Sequence, residues 1–286
     1  MIIAPLIHTR TFSNDFDSRI KVIPKSFLDS DINWARKSIL EATKSIDGLQ
    51  GERWVIIDNS KFRIAGVVGF LKDICLECHT NEKSKEYEEL FFDDKGRLVY
   101  AFIGIVINKS QTNNYCPVTY EYLWDTFVKL IHPVWKRTYQ EQIKVDFIEY
   151  NSTMHIDLNI PNINVICTKE LYESNPTLDY NLFLKYLCDK SKSDFSLCTN
   201  MNDYNVVKTC NFSILTTTLN NITRIKRMML VSLPDTQNDV NNLKVPNYNS
   251  SPNNNANDTR LKKNVLLLLV SICLLILLIV ILIALF

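Results

Sequence analysis

The sequence predicts an α/β fold with a mixed sheet and helices on its faces, followed by a disordered linker and one C-terminal transmembrane helix. Three observations support this prediction. Short apolar runs alternate with helical segments in the second half of the chain, which is typical of a helix-covered sheet. The nearly continuous apolar run at 97–107 is typical of a buried strand, and the last 22 residues, 265–286, carry no charge.

The composition is that of a folded protein close to electrical neutrality. The 286 residues include 32 Lys+Arg and 31 Asp+Glu, and 46% of them are hydrophobic. Such a chain is too apolar for general disorder, and a net charge of +1 offers no electrostatic attraction for a polyanion. We therefore expect a folded domain and no nucleic-acid partner.

The first elements are a strand and a helix. Residues 2–7 form an apolar run, as in a strand. Apolar residues then recur every three or four positions over 32–46, which predicts a helix. Ser30 or Asp31 is placed to cap its start, and Gly48 is predicted to close it in the left-handed region.

A hairpin, two further helices and a central strand are predicted next. Residues 54–57 and 62–70 are apolar and flank a polar turn, so they are expected to pair. A short charged helix at 82–90 precedes the strand at 97–107. The segment 117–131 repeats aromatic and aliphatic residues at helical spacing and is predicted to be a helix.

The second half of the chain changes character. After an alternating pair of strands, three short apolar runs appear, each ending in hydroxyl residues and each followed by a helical segment. The pair lies at 143–148 and 154–160, the runs at 164–168, 195–199 and 212–218, and the helices at 178–189, 203–210 and 221–230. This alternation favours parallel strands, which together with the hairpin makes the predicted sheet mixed.

The C-terminal run predicts a membrane anchor. As a helix, residues 265–286 would be about 33 Å long, against a hydrocarbon core of about 30 Å. Arg260, Lys262 and Lys263 precede the run, so the positive-inside rule predicts a single-pass, tail-anchored protein with its N-terminal domain in the cytosol. The expected partner of this segment is the lipid bilayer.

The rest of the chain divides into a globular region and a linker. Residues 233–264 are rich in Asn, Ser and Pro and lack apolar periodicity, which predicts a disordered linker with a reach of about 30 Å. The head, which we define as residues 1–232, is long enough for one cytosolic α/β domain or for two subdomains, 1–140 and 141–232.

One cysteine motif could hold a cofactor. Cys75, Cys78 and His79 match the C-x-x-C-H pattern of covalent haem attachment, but that chemistry requires an exported chain. Two thiolates and an imidazole would also make three of four zinc ligands, yet no second closely spaced Cys/His pair follows. We expect cysteines of an ordinary protein core, no metal site and no cofactor.

Catalytic motifs are largely missing. The sequence has no nucleophile elbow, no Gly-rich phosphate loop and no zinc-protease motif, and no glycine follows Gly104. Asp146, Glu149, His155 and Asp157 could converge on one face of a metal-dependent enzyme. We therefore expect a binding protein, with a membrane-tethered hydrolase or nucleotide-processing enzyme as the alternative.

The candidate ligand-binding residues are polar side chains that end the predicted parallel strands. Because the carboxyl ends of parallel strands meet at one edge of a sheet, beside the amino ends of helices, this edge suits a small anionic ligand such as a nucleotide. Lys169 would add a positive charge. The candidates are Thr168, Lys169, Thr199, Asn200, Thr216 and Thr217. The competing interpretation is that these residues cap helices.

The layout of head, linker and anchor is similar to that of membrane-tethered sensors and effectors of bacterial immune and stress operons. This similarity implies a role such as antiviral defense, and no residue motif carries it. Three functions remain: a sensor of a small ligand or protein partner, a tethered enzyme, and a passive recruitment or adaptor protein. The anchor lacks a pair of small residues at helix-packing spacing, so any homo-oligomer is expected to form through the head.

Overall fold

The computed structural model describes the protein over most of the head. The described residues are 1–13, 20–49, 51–137, 142–152, 170–173, 176–189, 195–218 and 221–223. The chain divides into two units, Met1–Pro234 and Asp235–Phe286, and the second unit lies outside the described residues. The predicted linker at 233–264, the predicted span at 265–286 and the predicted strands at 154–160 and 164–168 also lie outside them.

Ten strands and six α-helices are present in the described residues. The strands are β1 Ile2–Thr9, β2 Val22–Pro24, β3 Arg53–Asp58, β4 Phe62–Phe70, β5 Tyr100–Asn108, β6 Ile143–Val145, β7 Ile148–Glu149, β8 Glu170–Glu173, β9 Ser196–Cys198 and β10 Ile214–Thr217. The helices are α1 Asp29–Ala42, α2 Leu71–Cys78, α3 Asn81–Ser84, α4 Tyr120–Ile131, α5 Pro176–Cys188 and α6 Tyr204–Thr209. Short 3-10 turns occur at Ile46–Gly48, Lys85–Leu90 and His132–Val134.

All ten strands join one sheet, in the order β6-β2-β1-β5-β4-β3-β9-β10-β8, with β7 also paired to β1. The neighbours from β2 to β9 run antiparallel. Strands β9, β10 and β8 run parallel to one another, and β6 runs parallel to β2. The sheet is therefore mixed and flanked by helices, which confirms the predicted α/β architecture of the head.

The central strands bury both of their faces. Along β4, Ala65 and Val67 point into one apolar cluster, whereas Ile64 and Val68 point into the other. Helices α2, α4 and α5 contribute apolar side chains to the first cluster, and α1 and α6 contribute to the second. Strands that are covered on both faces have nearly continuous apolar sequences. This is why β4 and β5 could be predicted from the sequence.

The end of α1 differs from the prediction. The helix ends at Ala42, and the left-handed residue is Ser45, with φ 55°, rather than Gly48. The reason is a tertiary contact, because the Arg53 guanidinium donates from Nη1 to the carbonyl oxygens of Ala42 at 2.8 Å and Lys44 at 2.6 Å. A side chain from β3 thus satisfies carbonyl groups that a local glycine cap would otherwise serve.

The described helices are all too short or too polar to cross a bilayer.

Candidate functional site

The carboxyl ends of β9 and β10 bring four of the predicted ligand-binding residues together. The Asn200 backbone N–H donates to the Thr216 hydroxyl at 2.9 Å, and the Met201 N–H donates to the Thr216 carbonyl at 2.8 Å. Thr199 directly precedes Asn200, and Thr217 directly follows Thr216. We call this group the strand-end cluster. The other two candidates, Thr168 and Lys169, lie outside the described residues.

The hydroxyl groups of the strand-end cluster bond to the protein itself. Thr199 Oγ1 accepts a hydrogen bond from the Trp54 N–H at 2.7 Å. Thr216 Oγ1 donates to Asp179 Oδ1 at 2.5 Å, and Thr217 Oγ1 donates to the Met201 carbonyl at 2.6 Å. These bonds lead to strand β3, to the first turn of helix α5 and to the loop after β9, respectively. All three threonines are completely buried, so a ligand would have to exchange internal bonds to reach their hydroxyls.

Asn200 connects this cluster to the start of β3. Its φ of 51° lies in the left-handed region, which asparagine tolerates better than most residues. In this conformation its side-chain Nδ2 donates to the Glu52 carbonyl at 3.1 Å, while its own carbonyl accepts from Arg53 Nε at 3.3 Å. The turn after β9 is therefore fixed by contacts to the neighbouring antiparallel strand.

Arg53 is a buried cation at the same end of the sheet. Besides its bonds to the end of α1, its Nη2 donates to Asn202 Oδ1 at 2.7 Å. Its hydrogen-bond partners are thus neutral oxygens. Burial lowers the pKa of Arg53 from its ordinary value, because the charged form loses hydration.

Carboxyl groups surround the strand-end cluster. The Tyr120 hydroxyl donates to the Glu52 carboxyl group, beside the rings of Trp54 and Tyr180. Burial raises the pKa of Glu52, and the hydrogen bond from Tyr120 partly opposes this shift. Asp179 lies behind Thr216, so the acids at this edge offset the positive charge of Arg53. The predicted anionic ligand depends here on Lys169.

The Cys75, Cys78 and His79 motif lies at the end of α2 and in the residue after it. Burial raises the pKa of the Cys75 thiol to about 11 and that of the Cys78 thiol to about 12, so both thiols are protonated near neutral pH. The Cys78 thiol donates to the Ile74 carbonyl, and the His79 ring stacks on Tyr87 with centroids 5.6 Å apart. Within the described residues, no three His, Cys, Asp or Glu side chains are arranged to hold a metal ion.

The carboxylates proposed for a metal-dependent enzyme are only partly described. Asp146 lies after β6 and accepts from Lys25 Nζ at 2.6 Å. Glu149 lies in β7 and is exposed. His155 and Asp157 fall outside the described residues.

A groove lies at the opposite, amino ends of β9 and β10. It has a volume of about 280 Å³ and runs between α1 and the starts of the two strands. We call it the α1 groove. Its lining consists of Trp34, Lys37, Ser38, Glu41, Ile57, Asp58, Phe195, Ser196, Asn211, Phe212 and Ser213. This groove was not predicted from the sequence, although Trp34, Lys37 and Glu41 follow a helical spacing that places them on one side of α1.

Asp58, one of the residues that line the α1 groove, belongs to a buried ion pair. Arg63 donates from Nε and Nη2 to the two carboxylate oxygens of Asp58, each at 2.8 Å. Its Nη1 also donates to the carbonyls of Tyr186, Leu187 and Asp189 at the end of α5. Asp58 is thus neutralised from within the protein.

A second pocket of about 340 Å³ lies beside the turn after α4. Glu89 accepts there from His132 Nε2 at 2.7 Å and from Lys136 Nζ at 2.5 Å. The hydrogen bonds from Lys136 and His132 lower the pKa of Glu89. Glu89, His132 and Lys136 are therefore engaged with one another.

Comparison with known protein families, with curated proteins and with solved structures finds no match for this chain. Its function has to be inferred from its own residues.

Proposed function

We propose that this protein is a single-pass, tail-anchored membrane protein whose cytosolic α/β head binds a small anionic ligand or a protein partner and acts at the bilayer. The observation that carries the proposal is the uncharged run at 265–286 behind Arg260, Lys262 and Lys263. A run of this length and polarity is typical of a spanning helix. The Asn- and Ser-rich residues 233–264 would leave the head free to meet a partner away from the membrane.

The internal hydrogen bonds of the strand-end cluster favour a second candidate function. If Thr199, Thr216 and Thr217 serve only to join the sheet, the head would lack a ligand site at that edge. The protein would then be a recruitment or adaptor protein that binds its partner through a surface. Both candidates share the membrane anchor, so the anchor is tested first.

The anchor can be tested by placing charges in it. Arginine at Leu275 and Leu278 should cost about 2.5–3.5 kcal/mol per residue near the centre of a span. We expect the double variant Leu275→Arg/Leu278→Arg to appear in the soluble fraction after alkaline extraction, whereas the wild type stays with the membrane. The matched control, Asn254→Arg/Asn255→Arg, adds the same charge to the predicted linker and should stay with the membrane.

Topology is tested on the same samples. In sealed vesicles with the cytosolic face outward, added protease should digest the head of the full-length chain without detergent. Protection of the head until detergent is added would place it on the other side of the membrane. A wild type that extracts as readily as the span variant would refute the anchor itself.

A further inference from the structure

We propose that the α1 groove is a binding site for a small aromatic carboxylate, one ring bearing a single negative charge. This inference rests on the proposed function, because it assigns a place and a chemical class to the ligand of the head. It places the ligand at the amino ends of β9 and β10 instead of the strand-end cluster. The juxtaposition of a lysine, aromatic walls and strand-start hydroxyls carries the inference.

Lys37 supplies the charge. Its side chain is exposed at the groove, and it makes no hydrogen bond or ion pair with any described residue. Of the two carboxylates of the lining, Asp58 forms an ion pair with Arg63, whereas Glu41 accepts a hydrogen bond from the neutral Asn211 N–H at 3.3 Å, which does not cancel a carboxylate charge. An ammonium group beside an apolar surface makes a stronger contact with an anion than one fully surrounded by water.

Aromatic side chains supply the walls. Trp34 is half-buried, whereas the other three tryptophans of the chain are at most 1% exposed. Phe212, at 5% exposed, adds to this apolar surface. The Phe195 ring packs instead against Tyr186 of α5, with centroids 4.9 Å apart. A flat ring can pack between such side chains and displace water from them, and binding sites commonly combine apolar walls with a few polar groups.

Two serine hydroxyls lie at the strand starts. Ser196 Oγ accepts from the Ser213 N–H at 2.9 Å and donates to the Asn211 carbonyl at 3.1 Å. The Ser213 hydroxyl lies 3.3 Å from Ser196 Oγ and can rotate toward the groove. A carboxylate at Lys37 could therefore gain an additional hydroxyl donor.

The size of the groove limits the ligand. Its volume of about 280 Å³ is at the lower end of the range for small-molecule sites, which is about 300–1,000 Å³. A single-ring compound suits this volume. Inorganic phosphate would match the charge but would leave the aromatic walls uncovered.

The test uses benzoate as the probe. The full-length chain is reconstituted in phosphatidylcholine vesicles, and benzoate is titrated while tryptophan fluorescence and heat are recorded. We expect saturable binding, with benzamide and inorganic phosphate each weaker by about tenfold or more, as expected when a charge-assisted contact or the apolar contact is lost. Because Trp34 is the half-buried tryptophan, Trp34→Phe should remove the fluorescence change while calorimetry still detects benzoate.

Matched variants assign the site. Lys37→Gln should weaken benzoate binding by about tenfold or more. Arg36→Gln removes the same charge from an exposed neighbour on α1 that does not line the groove, and should leave binding unchanged. Circular dichroism of both variants should match the wild type, because neither position is buried.

The inference is overturned if benzoate does not bind saturably, or if Lys37→Gln binds it as well as Arg36→Gln does. Flotation of the same vesicles separates this failure from failure of the proposed anchor. Protein that floats without binding benzoate refutes the α1 groove alone, whereas protein that binds benzoate without floating refutes the anchor alone.

Discussion

A buried arginine lies near each end of strands β9 and β10, and the two arginines are bonded differently. At the carboxyl ends, Arg53 bonds to neutral oxygens, among them the Asn200 carbonyl and Asn202 Oδ1. At the amino ends, Arg63 forms a two-point ion pair with Asp58. One cation is therefore compensated by dipoles, and the other by an opposite charge.

This difference explains why the two ends suit different roles. At the carboxyl ends, the cation, the threonine hydroxyls and the Asn200 turn are bonded to one another, so this end acts as a structural joint between the antiparallel and parallel parts of the sheet. At the amino ends, Asp58 is paired with Arg63 inside the protein, and the exposed Lys37 lines the α1 groove without a bond to a described residue. The free energy of unfolding of the full-length protein should reflect this contrast.

Asp58→Asn should have the largest effect. Removing one partner of a buried ion pair leaves an uncompensated charge and costs about 3–5 kcal/mol. Urea unfolding measures the loss, and Asp47→Asn, at an exposed acid after α1, is the control. The double variant Asp58→Asn/Arg63→Met should recover part of the loss. If Asp58→Asn costs no more than Asp47→Asn, the ion pair does not hold this end.

Arg53→Met should have a smaller but clear effect. The change leaves the carbonyl groups of Ala42 and Lys44 without their hydrogen-bond donor, but it also removes the cost of burying a charge. We expect a loss of about 1–3 kcal/mol in urea unfolding. Arg36→Met, at an exposed site on α1, should change stability by less than about 0.5 kcal/mol. A loss larger than that of Asp58→Asn would reverse the comparison between the two ends.

Thr216→Val tests whether the strand-end cluster is a joint. The valine leaves the Asn200 N–H and the Asp179 carboxyl without their shared partner, for which we expect a loss of about 1–2 kcal/mol. Thr177→Val, an exposed threonine in the first turn of α5, is the matched control and should be nearly neutral. A thermal or urea midpoint equal to that of the control would show that the Thr216 hydroxyl contributes little to the fold and would favour a ligand role.

Glu52→Gln should have the smallest effect, and it should depend on pH. Because the folded pKa of Glu52 is raised above its ordinary value of 4.5, the folded state holds the proton more tightly than the unfolded state. The contribution of Glu52 to stability is therefore full below pH 4.5 and is lost as the pH rises through the raised pKa. Stability should thus fall less between pH 4.5 and 7 in Glu52→Gln than in the wild type. Glu82→Gln, an exposed change in α3, should follow the wild-type curve, and parallel curves for all three proteins would contradict the prediction.

Elements with a strong local signal could be predicted from the sequence. The apolar runs of β1, β3, β4 and β5 and the helical spacing of α1 and α4 predict these elements to within a few residues, because buried strands and amphipathic helices impose different periods on apolar residues. The predicted end of α1 was wrong, because Arg53 bonds the carbonyl groups that the expected glycine cap would serve. The short strand β8 was missed because its four residues, which begin and end with a glutamate, carry a weak signal.

In the candidate site, too, some features could be predicted from the local sequence and others depend on tertiary contacts. Alternating strands and helices predict that Thr199 and Thr216 lie at one edge, and the two residues do lie there. The hydrogen bonds of their hydroxyl groups could not be predicted, because the partners Trp54 and Asp179 are 145 and 37 positions away in the chain. The α1 groove was missed for a related reason, as it combines one face of a helix with the starts of two distant strands.

The sequence by itself determined the fold class and the apolar C-terminal run, because both depend on polarity and spacing between neighbouring residues. Only the tertiary structure decided which polar groups are bonded inside the head and which remain available. The bond from Arg53 to Asn202 spans 149 positions, and the lysine of the α1 groove lies well over a hundred positions from the strand starts it faces. Hydrogen-bond partners and open cavities depend on such long-range contacts, and local periodicity carries no information about them.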